Sequence, residues 1–185
     1  MVQVKEKSLE EIESRLDEMK TDLNRIDYLE SALKGEFTFE IKRNLWEKLA
    51  ELYEERRMFE KAGRAMANKA GIDVTFREKI DSYIKAGELF SRAGKIEDAE
   101  DMFIRAGRDA SVEQKEQIKL ARKNIYVLSA EALEKVGKKG SALKFYEKLI
   151  KMRLEDFERE QVKKRLIEIY KALGKFREVE LVEGL

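Results

Sequence analysis

Apolar residues recur along the chain in steps of three and four, the spacing that places them on one face of an α-helix. The first such stripe holds six residues: Leu9, Ile12, Leu16, Met19, Leu23 and Ile26. Leu33 continues the phase before Gly35, and Ser8 opens a capping box with Glu11. The pattern predicts one long N-terminal helix over residues 8–35. This helix either caps the rest of the chain or forms a coiled-coil seam for a partner or a second copy.

Residues 38–185 show shorter apolar stripes separated by turn signals. Capping-box patterns start at Thr75 and Ser111, so helices are expected to begin near residues 76 and 112. Five glycines follow helical stretches and predict helix ends: Gly71, Gly94, Gly107, Gly137 and Gly174. The chain contains no proline, as uninterrupted helices require. We expect an all-α fold of about nine helices, in a single domain over residues 1–185.

A repeated unit becomes visible when four small residues are aligned: Ala62, Ala99, Ala142 and Val179. Nine residues before each lies a bulky side chain: Tyr53, Phe90, Leu133 and Tyr170. A glycine stands five residues before three of the four small residues. A small residue lets a partner helix approach closely. The pattern predicts four antiparallel helix pairs, with spacings of 37, 43 and 37 residues.

These units resemble tetratricopeptide repeats. The second unit carries the fullest set of the family's positions: Tyr83, Ala86, Gly87, Phe90, Gly94, Ala99, Phe103 and Ala106. The third unit matches through Tyr126, Ala130, Leu133, Gly137, Ala142 and Tyr146. The first unit has Arg57 where a turn glycine is usual, and the fourth has Lys163 and Glu183 at normally apolar places. The spacings exceed the family's usual period of about 34 residues. Such lengthened repeats resemble the adaptor proteins of the SNAP group, which attach a disassembly ATPase to membrane-fusion complexes.

The resemblance implies a right-handed superhelical stack in which the first helix of each pair lines a concave groove. A peptide or a partner helix would bind there. In some family members, lysines and asparagines of the groove grip a peptide's terminal carboxylate. The corresponding positions here hold Glu47, Glu51, Ile84 and Glu88, so binding of that type is not expected.

One glutamate in each unit lies eleven residues before the small residue: Glu51, Glu88, Glu131 and Glu168. Three residues before these glutamates stand Lys48, Lys85, Leu128 and Arg165, so intrahelical ion pairs are one explanation. The other explanation is a ladder of carboxylates that selects a basic partner, with Ile84, Val127 and Leu128 as apolar anchors. The candidate partner-binding residues are Glu51, Ile84, Lys85, Glu88, Val127, Leu128, Glu131, Arg165 and Glu168.

Composition argues against catalysis and against a metal or cofactor site. The 185 residues include neither cysteine nor histidine, which removes thiol nucleophiles, the usual general base near neutral pH and the commonest metal ligands. The segment Gly137-Lys138-Lys139-Gly140 lacks the spacing of a phosphate-binding loop. We therefore expect no enzyme and no cofactor.

Charge and hydropathy bear on two further functions, nucleic-acid binding and membrane insertion. The net charge is +1, with 39 basic and 38 acidic residues interspersed, which argues against a strong nucleic-acid-binding face. Basic groups at residues 105–123 and 163–165 keep that function as a further alternative.

The chain lacks the roughly 20-residue apolar run of a membrane span, and residues 1–9 lack the core of a signal peptide. A cytoplasmic protein is expected. The abundance of lysine, arginine and glutamate is typical of proteins from hot-growing organisms.

The function expected from these patterns is that of a protein–protein interaction scaffold or adaptor. The main alternative is a self-assembling structural subunit, joined through the stripe from Leu9 to Ile26.

Overall fold

A computed structural model describes residues 4–184, and within that range the chain forms ten α-helices and no strand. The helices belong to two compact units, Met1–Lys115 and Glu116–Leu185, called unit 1 and unit 2 below. The predicted all-α class is confirmed, with ten helices in place of about nine. The single domain expected over residues 1–185 stays a prediction.

Unit 1 contains six complete helices: α1 Leu9–Asp17, α2 Asp22–Ala32, α3 Phe39–Glu55, α4 Phe59–Ile72, α5 Phe76–Arg92 and α6 Ile96–Arg108. Each helix from α2 to α5 packs against the next one. Side chains spaced along one face of each helix supply the core, as the apolar stripes predict.

Unit 2 contains most of α7 Val112–Lys135, together with α8 Lys139–Leu149, α9 Asp156–Ala172 and α10 Phe176–Glu183. α7, the helix predicted to begin near residue 112, has 24 residues. α9 packs against both α8 and α10. α7 contacts α8 through Tyr126, whose ring meets that of Phe145 edge-on with centroids 5.3 Å apart.

The single long helix predicted for residues 8–35 is wrong. α1 ends at Asp17, and α2 begins at Asp22. Thr21 caps the new helix, because its side-chain oxygen accepts a hydrogen bond of 3.3 Å from the backbone N–H of Asn24. Arg25 Nε donates to the carbonyl of Leu16 at 3.2 Å and so ties α2 to the end of α1. The N-terminal segment therefore forms two helices ahead of the four predicted pairs.

This break changes where the heptad stripe lies. Ile12, Leu16 and Ile26 are buried. Leu9 and Met19 are half-buried, and Leu23 is 54% exposed. α2 packs against α3, which agrees with the capping interpretation. Self-association through the stripe stays a prediction, and burial of half of its residues inside unit 1 argues against it.

Four turns that join paired helices share one backbone geometry. Their left-handed residues are Arg57, Gly94, Gly137 and Gly174, with φ of 56°, 74°, 74° and 70°. In each turn, the following residue donates its N–H to a carbonyl five residues earlier, as Met58 does to Tyr53 at 2.8 Å. This is a Schellman motif, in which glycine avoids the strain that a side chain suffers. Arg57 therefore occupies a glycine position at some cost.

The predicted helix starts near residues 76 and 112 are confirmed. At the first of them, Thr75 and Glu78 form both hydrogen bonds of a capping box, of 3.2 and 3.0 Å. α4 and α6 end one residue after the predicted stops Gly71 and Gly107. These two glycines lack the left-handed conformation expected of a terminal glycine.

Candidate functional site

The nine predicted partner-binding residues lie on the first helices of their pairs. Unit 1 carries four of them, and unit 2 carries five. In chain order they are Glu51 on α3, Ile84, Lys85 and Glu88 on α5, Val127, Leu128 and Glu131 on α7, and Arg165 and Glu168 on α9.

In unit 1, Lys85 and Glu88 belong to an ion-pair cluster that joins α3 to α5. Lys85 Nζ lies 3.1 Å from Glu54 Oε2 and 3.3 Å from Glu88 Oε2. Arg92 also pairs with Glu54 and lies 3.7 Å from Glu88. Burial by itself raises the pKa of Glu54, but hydrogen bonds and charges from Lys85 and Arg92 outweigh it and hold the pKa below its ordinary value. These charges are balanced within the cluster.

Unit 2 repeats this arrangement with α7 and α9. Arg165 Nη1 lies 2.8 Å from Glu168 Oε2, and its Nε lies 3.8 Å from Glu134 Oε2. Lys85 stands 31 residues after Glu54, and Arg165 follows Glu134 by the same interval. The equal spacing indicates a structural link that recurs between the first helices of consecutive pairs.

Of the four glutamates in the predicted carboxylate ladder, two form ion pairs within their own helices and two do not. Glu88 and Glu168 pair within their own helices, as the intrahelical explanation expects. Lys48 does not pair with Glu51, because its Nζ lies 2.9 Å from Glu13 on α1. Glu51 and Glu131 are exposed and form no ion pair with any residue in the described range 4–184.

α7 presents the most exposed of the predicted apolar anchors. Leu128 is 66% exposed, whereas Val127 and Ile84 are half-buried. Leu120, which the sequence analysis missed, is 55% exposed and lies eight residues earlier on the same helix. The signal was present, since Leu120 falls outside the positions that the repeat assigns to packing. The two leucines are about 12 Å apart along the helix axis.

The other side of α7 is held in place by packing and by charge. Tyr126, Ala130 and Leu133 are buried. Lys123 Nζ lies 2.7 Å from Glu158 Oε1 on α9. α7 therefore has one fixed side within unit 2 and one side that carries exposed leucines.

Several basic residues considered for nucleic-acid binding have carboxylate partners. Arg105 Nη2 lies 2.9 Å from Asp101, and Lys119 Nζ lies 2.6 Å from Glu116. Lys163 Nζ lies 3.4 Å from Glu160. Phosphate binding draws on cations that are available for neutralisation, so these pairs give no support to a nucleic-acid interface.

A cavity of about 490 Å³ lies in unit 1 between α2 and α4, above α3. Its apolar surface consists of Leu33, Trp46, Leu49 and Ala65, and Lys34, Lys61, Arg64 and Asn68 surround it. At one end, the Tyr53 hydroxyl donates a hydrogen bond to Glu30. The repeat pattern assigns Trp46 to packing and gives no signal of this cavity, which depends on the separation of two non-consecutive helices.

None of the described helices is long and apolar enough to cross a membrane. Residues 4–184 bring together no group of three or more acidic side chains that could hold a metal ion. Comparison of the chain with models of protein families and with curated proteins gives no match. The helix-pair organisation therefore rests on the chain's own sequence and structure.

Proposed function

We propose that this protein is an interaction adaptor that binds a basic, amphipathic segment of a partner protein on the first helices of its pairs. The observation that carries the proposal is the exposed side of α7, with Leu120 and Leu128 uncovered and Glu131 unpaired one turn further on. The leucines are about 12 Å apart along α7, close to the roughly 10.5 Å between anchors seven residues apart on a partner helix. A helix with two apolar anchors and a basic flank would match this side.

The recurrence of equivalent contacts supports a repeat architecture of the tetratricopeptide type. Tyr53 donates its hydroxyl hydrogen bond to Glu30, and Tyr170 donates to Glu147 at 2.8 Å. Each acceptor lies 23 residues before its tyrosine. With the four shared turns and the recurring ion pairs, this spacing favours four equivalent pairs, preceded by α2 in the place of a second helix. In this proposal, the first helices within each unit lie side by side and line a groove of that unit, as in lengthened adaptor repeats of the SNAP type.

The charge of the partner follows from the carboxylates that remain available. Glu88 and Glu168 are engaged by their own helices, whereas Glu51 and Glu131 are not. Unpaired carboxylates near apolar anchors steer basic segments toward a surface and disfavour acidic ones. In this proposal, Glu131 selects the partner and Leu128 anchors it.

The test starts from a photo-crosslinking amino acid placed at position 128, with the same group at exposed Lys144 on α8 as the control site. Partners captured at position 128 are identified by mass spectrometry, and the contacted segment is made as a peptide. Binding of that peptide is measured by isothermal titration calorimetry. Leu120→Ser with Leu128→Ser should weaken binding at least tenfold, and Glu131→Lys should weaken it about threefold or more, since each 1.4 kcal/mol is a factor of ten.

Glu180→Lys is the matched control, because Glu180 is exposed on α10 and reverses the same charge outside the proposed surface. It should bind as the wild type does. The proposal fails if the peptide is acidic, or if the leucine and Glu131 variants keep wild-type affinity while circular dichroism shows them folded.

A further inference from the structure

The cavity between α2 and α4 differs from the α7 surface in both helices and charge. It lies between α2 and α4, with Trp46 and Leu49 of α3 at its base, and three cations surround its apolar surface. A volume of about 490 Å³ falls in the range of about 300–1,000 Å³ in which proteins bind ligands. It is therefore large enough for one apolar side chain together with its flanking backbone.

Two of the surrounding cations are available to a ligand. Arg64 Nη2 is 2.9 Å from Glu60 Oε1 and is thus already paired. Lys34 and Lys61 form no ion pair with any residue of the described chain. Lys61 Nζ lies 5.3 Å from the centre of the Tyr53 ring, a position that keeps the ammonium at the cavity.

The one carboxylate at the cavity does not cancel these charges. Glu30 accepts the hydrogen bond of the Tyr53 hydroxyl at one end. Because Glu60 already neutralises Arg64, the balance is Lys34 and Lys61 against Glu30, which leaves the lining with an excess of one positive charge. A positive surround above an apolar surface complements a ligand with an apolar centre and acidic flanks.

We infer that this cavity binds a short acidic segment of a partner protein, in which one or two apolar residues are flanked by aspartate or glutamate. The apolar side chain sits against Trp46 and Leu49, and the flanking carboxylates reach Lys34 and Lys61. This inference does not depend on the proposed function of α7, because it uses other helices and a partner segment of opposite charge. An adaptor with both sites would hold a basic and an acidic segment together.

The chain itself supplies the reporter for a test, since Trp46 is its one tryptophan. The probe is a capped hexapeptide with two aspartates on each side of a central Leu-Phe, and it contains no tryptophan. Burial of Trp46 by the central residues should shift its fluorescence emission to shorter wavelength with a saturable dose dependence. Two matched peptides are titrated beside it, one with lysines in place of the aspartates and one with serines in place of Leu-Phe.

The protein variants reverse two charges of the cavity lining without touching the core. Lys34→Glu with Lys61→Glu should weaken binding of the acidic peptide at least tenfold at low salt, because attraction becomes repulsion at two places. The control is Lys20→Glu with Lys144→Glu, which makes the same net change at exposed positions elsewhere. The control variant should bind as the wild type does, and added salt should weaken its binding.

The inference is overturned if the acidic peptide gives no saturable shift, or if the lysine peptide binds as tightly. Wild-type affinity in the Lys34 and Lys61 double variant also overturns it. Sodium decanoate, a free carboxylate with an apolar body, is titrated as a competing class of ligand. If decanoate saturates the Trp46 signal and the peptide does not, the cavity belongs to a small molecule.

Discussion

The junction of α4 and α5 in unit 1 is polar where the junction of α8 and α9 in unit 2 is apolar. In unit 1, Lys69 Nζ donates to Ser82 Oγ at 3.1 Å, and Ser82 Oγ donates to Asp73 Oδ2 at 2.6 Å. Lys69 stands seven residues after Ala62 and 13 before Ser82. The residues in the same register in unit 2 are Leu149 and Val162, and both are buried.

This difference shows that one backbone arrangement is compatible with two kinds of contact. An apolar pair stabilises through burial and tolerates loss of a few atoms. The Lys69, Asp73 and Ser82 cluster is different, because each group needs the others to compensate for its lost hydration. The Asp73 side chain is only 1% exposed. The polar junction should therefore be the more sensitive of the two to a single change.

The largest expected effect comes from Asp73→Ala. It leaves Lys69 without its nearest anion, and Lys69 is only 13% exposed. The free energy of unfolding should fall by about 3 kcal/mol, the low end for breaking a buried charge pair. Guanidinium unfolding followed by circular dichroism measures this loss.

The comparison predicts that full replacement is tolerated better than partial removal. A triple variant, Lys69→Leu, Asp73→Ala and Ser82→Val, gives unit 1 the apolar pair of unit 2. Its stability should lie within about 1 kcal/mol of wild type, because no buried polar group is left unpaired. If the triple variant is as unstable as Asp73→Ala, the two junctions are not interchangeable.

The next largest effect on stability comes from substitutions in the left-handed turns, and its sign is opposite in the two units. In unit 2, Gly137→Ala should cost about 1.5 kcal/mol, since alanine at positive φ is strained even though no atom lies near the added methyl group. In unit 1, Arg57→Gly removes the same strain and should stabilise the protein by about 1 kcal/mol. Thermal unfolding of both variants provides the measurement.

Gly140→Ala is the control for the turn prediction. Gly140 also has open space around its Cα but lies at the helical start of α8. Alanine there should be neutral or stabilising by about 0.5 kcal/mol. Equal effects at positions 137 and 140 would mean that the left-handed conformation is not what requires glycine.

The tyrosine–glutamate hydrogen bonds should give similar effects in both units. Tyr53→Phe and Tyr170→Phe should each lower the free energy of unfolding by about 1 kcal/mol, because a partly buried hydrogen bond to a carboxylate is lost. Burial, followed by the bond to Glu147, raises the pKa of Tyr170. A raised pKa stabilises the folded protein below the unfolded value of about 10 and loses that effect as pH rises through the folded value.

The pH dependence provides the check on this prediction. The stability difference between wild type and Tyr170→Phe should stay constant from about pH 6 to 9 and shrink above about pH 10. A constant difference at higher pH would contradict a contribution from the Tyr170 hydroxyl. A clear loss in one tyrosine variant and none in the other would contradict the equivalence of the two pairs.

The sequence predicts most of the fold because its signals are local. The turn glycines, the caps at Thr75 and Ser111 and the spacing of small residues each act within a few positions. The break before α2 was missed because the apolar phase continues through it. Thr21, followed by Asp22, carries the start signal of the new helix, and a heptad pattern alone does not reveal it.

The candidate site is less predictable because its contacts join helices that are far apart in sequence. The exposed Leu128 and Glu131 follow from helical spacing and were predicted. The pairing of Lys48 with Glu13 was not, since it depends on where α1 lies. The Trp46 cavity depends likewise on the separation of α2 from α4. The register itself could have shown that Lys69 and Ser82 replace Leu149 and Val162.

The smallest effect concerns the ion pairs between first helices. Glu54 is 28% exposed and has two cations, whereas Glu134 has Arg165 at 3.8 Å. Glu54→Gln should cost about 0.5–1 kcal/mol at pH 7, reduced by solvent screening, and Glu134→Gln should cost less. The lowered pKa of Glu54 means that this contribution is present above the unfolded value of about 4.3 and disappears as pH falls through the folded value.

Urea unfolding at pH 7 and pH 3 should therefore show a smaller difference between wild type and Glu54→Gln in acid. Glu51→Gln, at an exposed and unpaired carboxylate, should show no difference at either pH. An undiminished Glu54→Gln effect at pH 3 would assign the loss to packing of the side chain and not to its charge.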